Sequence, residues 1–457
     1  MASTGRRSLG EGGFGCAVNP PFVCEGDKHE ATNAMLRANP STYVSKVFSN
    51  EMDAEKEYEA GRSLVRIDPE GRFFILPLDQ CKTESLARSV ISGVCPSTAS
   101  KKYKTFAVGD DTAESFDMLV YANGGNNMLQ NLESSAKGFI FSDRDLVLSL
   151  SRIVMEGLPA LLLARMLHGD IKLDNIVMPR RTVAKLIDFG QVETFESTSE
   201  SISNVYQSSG QERFPPELFW IVNTMKRDVP YLISQLHILP TRTRFEDQVR
   251  MDAHQKDAGK FLRDFDMIVK TSRKTRAEVN SILFVDTYDT YSLGYVIMYI
   301  LYMKQIRDEK ITEFAKEEYE KLKIWLRHVM DEDGFARWNA DDGAEFWPCV
   351  WDSTLSPKVA EDMGTDISKR ATERRVDAIR TRIFKGQVPR SYKDVDFFRA
   401  TSTSEPNAAF QGAVGYARGG KRTFRRGRSK TGRRSASRKP VSGLRARRRR
   451  SRSTSHT

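Results

Sequence analysis

The chain changes rhythm once along its length. From Leu9 to about Tyr121, short apolar runs (GCAV, YVSKVF, RFFILPL, FDMLVY) alternate with Gly and Pro, a pattern that predicts a small, mostly β unit. One stretch departs from it. Residues 50–67, NEMDAEKEYEAGRSLVRI, are predicted helical, with Asn50 placed to cap the first turn and early acidic residues suited to the positive end of the helix dipole. Residues 18–43 read as a long loop, and Gly124 and Gly125 mark the break that follows.

Beyond the break, helical spacing takes over. In FSDRDLVLSLSRIVMEGLPALLLARML, Ser142 and Asp145 form an S-x-x-D start, and Leu146, Leu150, Ile153, Val154, Leu158, Leu161 and Leu162 fall on one helical face expected to meet a core. Two short strands follow, NIVM and VAKLI, joined across residues 179–182, where Pro179 favours a reversal. Helical patterns then run from about Pro216 to Gly386. The two most apolar stretches, residues 157–167 and 291–303, are too short to span a bilayer, and MASTGRRSLGEGG has no apolar core segment. The expectation is therefore a soluble chain with no signal peptide and no transmembrane helix.

Composition agrees with a folded body carrying an appendage. With 457 residues, 39% hydrophobic and 29% charged, the chain can bury a sizeable core. The net charge of +11 is uneven: 17 of the 71 Lys and Arg, and none of the 60 Asp and Glu, lie after Glu405, which leaves 54 against 60, or −6, before it. From about Thr401 the sequence is Ser, Gly and Arg with few aliphatic residues and cannot bury enough surface to fold alone. The five cysteines, Cys16, Cys24, Cys81, Cys95 and Cys349, form no CxxC and are odd in number. Free thiols in a reducing compartment are expected, rather than a zinc module or a disulfide framework.

Four segments carry the candidate chemistry. Gly10, Gly12 and Gly15 make GxGxxG, where a backbone without Cβ atoms can approach phosphate oxygens; a plain glycine turn is the alternative. Lys46, flanked by Val44 and Val47 and followed by an acidic helix whose Glu57 could reach it, suits an anchor for phosphate oxygens. In His168-Gly-Asp-Ile-Lys-Leu-Asp-Asn175, Asp170 is placed to orient or deprotonate a hydroxyl. Thirteen residues on, Asp188-Phe-Gly190 is folded back beside Asn175 by the hairpin, so that Asn175 and Asp188 offer oxygen ligands to Mg²⁺. These groups together suit phosphoryl transfer, which needs positioning and charge neutralisation.

In this order and spacing the segments resemble the protein kinase superfamily from about Leu9 to Gly386. GEGGFG resembles the glycine loop, Lys46 the strand lysine, HGDIKLDN the catalytic loop and DFG the metal motif. The resemblance implies an α+β, bilobed fold: a β-rich N-lobe with one helix over residues 1–122, a helical C-lobe over 123–400 with an insertion at about 218–288, and a disordered basic tail over 401–457. It implies an ATP- and Mg²⁺-dependent serine/threonine protein kinase. Asp170, Lys172, Asn175, Lys46 and Glu57 would be catalytic; Gly10, Gly12, Gly13, Gly15, Ala17, Lys46, Leu119, Val120 and Ala122 would hold the nucleotide; Asn175 and Asp188 would hold the metal. Glu57 is preferred over Glu55 and Glu59 as the partner of Lys46, and His168 is expected to be a packed core residue. Phe214-Pro-Pro-Glu217 resembles the close of an activation segment, with Arg370 implied as the partner of Glu217. Asp289-Thr-Tyr-Ser-Leu-Gly294 resembles the start of the buried helix under the catalytic loop. RIDPEGRFFILPLDQC, HGDIK and YDTYSLG, with the long insertion, are similar to serine/threonine kinases of large DNA viruses.

Departures sharpen the expectations. Gly169 stands where many kinases have Arg, so activity is expected without a phosphorylated activation loop. The 71 residues from 218 to 288 are basic in places and are read as a packed extension, with partner binding as the alternative. Residues 418–457 form a basic tail suited to nuclear import or to sequence-independent nucleic-acid binding, with serines next to arginines as candidate autophosphorylation sites. An intracellular protein, in nucleus or virion and off the membrane, is expected. Two other functions remain beside the kinase: a catalytically weak scaffold of the same fold, and a small-molecule phosphotransferase.

Overall fold

The alternating runs pair into one antiparallel sheet. Strands β1 (Arg7–Glu11), β2 (Gly15–Asn19), β3 (Tyr43–Phe48), β4 (Pro77–Lys82) and β5 (Asp117–Ala122) lie in the order β1-β2-β3-β5-β4. This is a computed structural model, and the residues described are 5–12, 15–103, 113–135, 141–180, 183–197, 255–308, 314–331 and 333–387. The chain divides into two units, Met1–Ser402 and Thr403–Thr457, the second lying outside the described residues. The expectations for Gly13, the closing segment with Glu217, most of the insertion and the basic tail fall outside them too.

Period-2 alternation gives the sheet two buried faces. Phe48, Leu119 and Tyr121 join the main core, whereas Cys16, Val18, Val47, Met118 and Val120 join a second one. That second core is closed by helices α1 (Glu30–Ala38), α3 (Arg88–Val94) and α4 (Pro96–Lys102), so the N-terminal region holds more helix than the predicted α2 (Glu51–Val65) alone. The loop expected over 18–43 contains α1, because Asn33 and Leu36, three apart, bury one stripe of it. RFFILPL is not a strand until Pro77. The Asp68 carboxylate accepts the N–H groups of Arg72, Phe73 and Phe74 at 2.6, 2.9 and 2.9 Å, supplying from a side chain what a ladder would otherwise supply.

The cysteine expectation is overturned. Cys16 bonds to Cys95 and Cys24 to Cys81, leaving Cys349 as a buried free thiol. The partners are 79 and 57 residues apart and meet only because both pairs flank the second core. Spacing along the chain could not reveal this.

The long helix α6 (Asp143–Leu163) follows α5 (Met128–Ser135) and begins at the expected capping box, with Ser142 accepting the Asp145 N–H at 3.0 Å. Contrary to expectation, α6 is long and apolar enough to cross a membrane by length and composition. Half of its apolar window is nevertheless buried in protein, with Leu146, Leu150, Ile153, Leu158 and Leu161 in the main core. Strands β6 (Ile176–Arg180) and β7 (Val183–Leu186) form the predicted hairpin. The remaining described helices, α7 (Gln255–Ser272), α8 (Arg276–Leu283), α9 (Tyr288–Asp308), α10 (Lys316–Val329), α11 (Ala340–Trp351) and α12 (Pro357–Ala378), complete the main core and a third one around Phe261, Phe265 and Phe284.

Candidate functional site

The sheet, α2 and the β6–β7 hairpin converge on Lys46. Its place in β3 opposite Leu119 turns it to the main-core side, where its ammonium lies 2.6 Å from Glu57 of α2 and 2.8 Å from Asp188 just beyond β7. Asn50 caps α2 by accepting the Asp53 N–H at 2.9 Å, and the buried stripe of that helix carries Ala54, Glu57, Gly61 and Leu64. Glu57 is therefore inside while Glu55 and Glu59 face out, which separates the three candidates.

The charges of this trio follow from burial and proximity. Burial alone would lower the Lys46 pKa, but Asp188 and Glu57 on either side outweigh it and hold the ammonium above its ordinary value. Burial raises the Glu57 carboxyl, and Lys46 only partly offsets it. At Asp188 burial pushes up, yet Lys46 wins and the carboxyl stays below its usual range. Asp188 thus remains ionised, and with its side chain 26% exposed it is the more accessible of the two carboxylates.

Tyr121 completes the arrangement and was missed by sequence reasoning. Its hydroxyl donates to the second oxygen of Glu57 at 2.7 Å, and burial beside that carboxylate raises the phenol pKa well above its ordinary value. The alternation of DMLVY, which puts Tyr121 on the same face as Leu119, was the available signal.

The second group sits on the loop after α6. The Lys172 ammonium reaches Asp170 at 2.8 Å, and the Asn175 amide donates to the Asp170 carboxylate at 2.8 Å and to its carbonyl at 2.9 Å. Beneath them, Asp289 at the start of α9 accepts the backbone N–H groups of His168 at 2.6 Å and Gly169 at 3.1 Å, clamping the loop. His168 is fully buried, bonds the Ile187 carbonyl at 3.1 Å and packs edge-on to Phe189, as expected of a core residue. Gly169 adopts φ +73°, and a Cβ there would lie 2.6 Å from the Gln191 carbonyl, a position glycine alone fits without strain.

The hairpin brings the two groups together: the Ile187 N–H donates to the Asn175 carbonyl at 3.0 Å, setting Asp188 next to that pairing. With its NH₂ turned to Asp170, Asn175 is left with its amide oxygen as ligand. That amide oxygen and the Asp188 carboxylate are the oxygen donors a hard cation such as Mg²⁺ takes.

Strands β1 and β2 carry the glycines beside β3: Ala17 pairs with Lys46, and the Gly12 N–H donates to the Gly15 carbonyl at 2.9 Å. A Cβ on Gly15 would meet the Val47 carbonyl at 2.6 Å, so this glycine serves strand packing, whereas Gly10 and Gly12 have open space around them. Leu119, paired with Lys46, flanks the same side, and the exposed Ala122, three residues on, alternates to the other. Val120 also turns away: its side chain lies in the second core, leaving only its backbone for any ligand. Arg370 pairs with Glu345 at 2.6 Å, while the buried arginine of α12 is Arg375, held on Asp286 at 2.9 Å and 3.0 Å.

No family model matches the chain, and no curated protein matches it. Among solved structures it is similar to the ROP18 kinase domain in complex with AMP-PNP and sucrose, at 15% identity, covering 80% of this chain and 81% of that chain, with a TM-score of 0.40.

Proposed function

We propose that the chain is an ATP-dependent serine/threonine protein kinase built on a bilobed, protein-kinase-like fold. The observation that carries this reading is the Lys46 ammonium held between Glu57 and Asp188, facing a loop on which Asp170, Lys172 and Asn175 are bonded to one another. Fixed and permanently charged, Lys46 binds phosphate oxygens of ATP beside the open glycines Gly10 and Gly12, with Leu119 and the backbone of Ala122 bordering the adenine. Asp188 and Asn175 hold Mg²⁺, which when bound neutralises phosphate charge. Asp170 orients the acceptor hydroxyl and takes its proton, and Lys172 beside it offsets the charge on the moving phosphoryl group. Residues 418–457, with their arginines, bind nucleic acid or direct the protein to the nucleus or virion.

The test is phosphate transfer from labelled ATP with Mg²⁺ to a basic protein, comparing the full chain with Asp188→Asn and with a chain ending at Ser404. Asp188 sits at φ +69°, a conformation Asn tolerates, so Asp188→Asn removes charge without new backbone strain. Transfer by the full chain and none by Asp188→Asn supports the kinase. No transfer by a folded full chain that still binds ATP makes it a scaffold, and transfer to small alcohols but no protein makes it a small-molecule phosphotransferase.

A further inference from the structure

Away from the candidate active site, the second core holds a cluster that the proposed reaction does not use. A sulfur of Cys24, a ring nitrogen of His29 and a carboxylate oxygen of Asp79 lie within 4.8 Å of one another, and the sulfur of Cys81 is one bond away from that of Cys24. Ligand atoms around a tetrahedral zinc ion, with bonds of about 2.0–2.3 Å, stand roughly 3.3–3.8 Å apart, and Asp79, already on Nδ1, leaves Nε2 as the nitrogen a metal would take.

The surroundings are those of a metal site. Asp79 takes His29 Nδ1 at 2.9 Å and the Thr32 hydroxyl at 2.6 Å on one oxygen, and the Gln80 N–H at 2.8 Å on the other. With both oxygens engaged, Asp79 orients the ring, and a carboxylate on one imidazole nitrogen is the usual way to present the other nitrogen to a metal. That other nitrogen, Nε2, is buried and has no hydrogen-bond partner, in a side chain more than nine-tenths buried. Asn33 braces the Cys24 backbone on both sides, accepting its N–H and donating to its carbonyl at 2.8 Å each. Two sulfurs and an imidazole suit zinc-class cations and not Mg²⁺.

We propose that, when the Cys24–Cys81 bond is reduced, Cys24, Cys81 and His29 through Nε2 bind one zinc-class divalent cation, with Asp79 as the positioning residue and solvent in the fourth place. A dithiol reductant supplies two electrons and two protons, leaving as its own disulfide, and each thiol gives up its proton as its sulfur binds the cation. A disulfide oxidant such as oxidised glutathione takes two electrons from the two thiolates, leaving as two thiols, which restores the bond and frees the metal, so residues 24–33 and β4 are joined either covalently or through the ion.

The experiment uses the full chain, reduced with dithiothreitol, desalted without oxygen and titrated with Co²⁺, then Zn²⁺. One Co²⁺ per chain is expected, with thiolate charge-transfer and tetrahedral visible bands that Zn²⁺ removes and oxidised glutathione abolishes. Asp79→Asn should weaken binding about 10–100-fold while leaving the charge-transfer intensity per bound ion unchanged, and His29→Gln should remove the site. Because these variants can misfold, alkylation is also mapped on the unmodified chain: bound Zn²⁺ should slow alkylation of Cys24 and Cys81 and leave the rate at the fully buried Cys16 and Cys95 unchanged. Absence of thiolate bands, equal alkylation with and without Zn²⁺, or protection of Cys16 and Cys95 alone would overturn the proposal.

Discussion

The Tyr121 hydroxyl donates to Glu57 at 2.7 Å, on the carboxylate whose other oxygen faces Lys46. One tyrosine of the central strand thus fixes the orientation of the α2 glutamate, and through it the lysine. A buried carboxylate that loses one donor keeps its desolvation cost. Tyr121→Phe is therefore expected to lower stability by about 1–3 kcal/mol in urea unfolding. A change below about 0.5 kcal/mol would mean that the bond adds nothing beyond packing.

Asp170 is bonded to Lys172 and Asn175, whereas Lys46 is bonded to Glu57 and Asp188, so the proposed function separates proton transfer from nucleotide binding. Asp170→Asn should lower kcat by about 10²-fold or more. The KM for ATP should move little, because Lys46, Glu57 and Asp188 are untouched. A variant with normal kcat would assign proton transfer elsewhere.

Gly169 cannot be converted to the residue many kinases carry. Gly169→Ala already forces a side chain into φ +73° and a contact of 2.6 Å with the Gln191 carbonyl, so a loss of about 2 kcal/mol or more is expected in thermal or urea unfolding.

In the proposed kinase, the same glycine offers no guanidinium to a phosphorylated activation segment. Protein dephosphorylated before assay should retain full activity. An inert dephosphorylated enzyme rescued by phosphorylation of that segment would refute this.

His328 makes stability depend on pH. Its ring stacks on Trp338 at 4.5 Å, Nδ1 meets the Ser368 hydroxyl at 2.9 Å and Nε2 is buried without a partner; burial, helped by Arg327, lowers its pKa to about 3. The unfolded chain binds the proton first, so the stabilisation is complete above the ordinary histidine value of about 6.5 and is lost as pH falls towards 3. The expected slope is up to about 1.4 kcal/mol per pH unit in that window. In His328→Gln, urea unfolding at pH 4 to 7 should show a shallower dependence.

The residues themselves determined the local pieces. The strand YVSKVF, the caps at Asn50 and Ser142, the NIVM–VAKLI hairpin and the order of Lys46, Asp170, Asn175 and Asp188 were all legible, because alternation, capping and motif spacing act over a few residues. Glu57 could be preferred over its neighbours because it lies seven residues before Leu64, two turns along the same face, whereas Glu55 and Glu59 lie about half a turn round. Tertiary structure alone decided what depends on distant contacts. The pairing of Cys16 with Cys95 and Cys24 with Cys81, and the His29–Asp79 contact, join residues whose proximity the packed sheet creates. No periodicity encodes such pairs, since each rests on two segments that meet only after β3, β4 and β5 have formed their ladder.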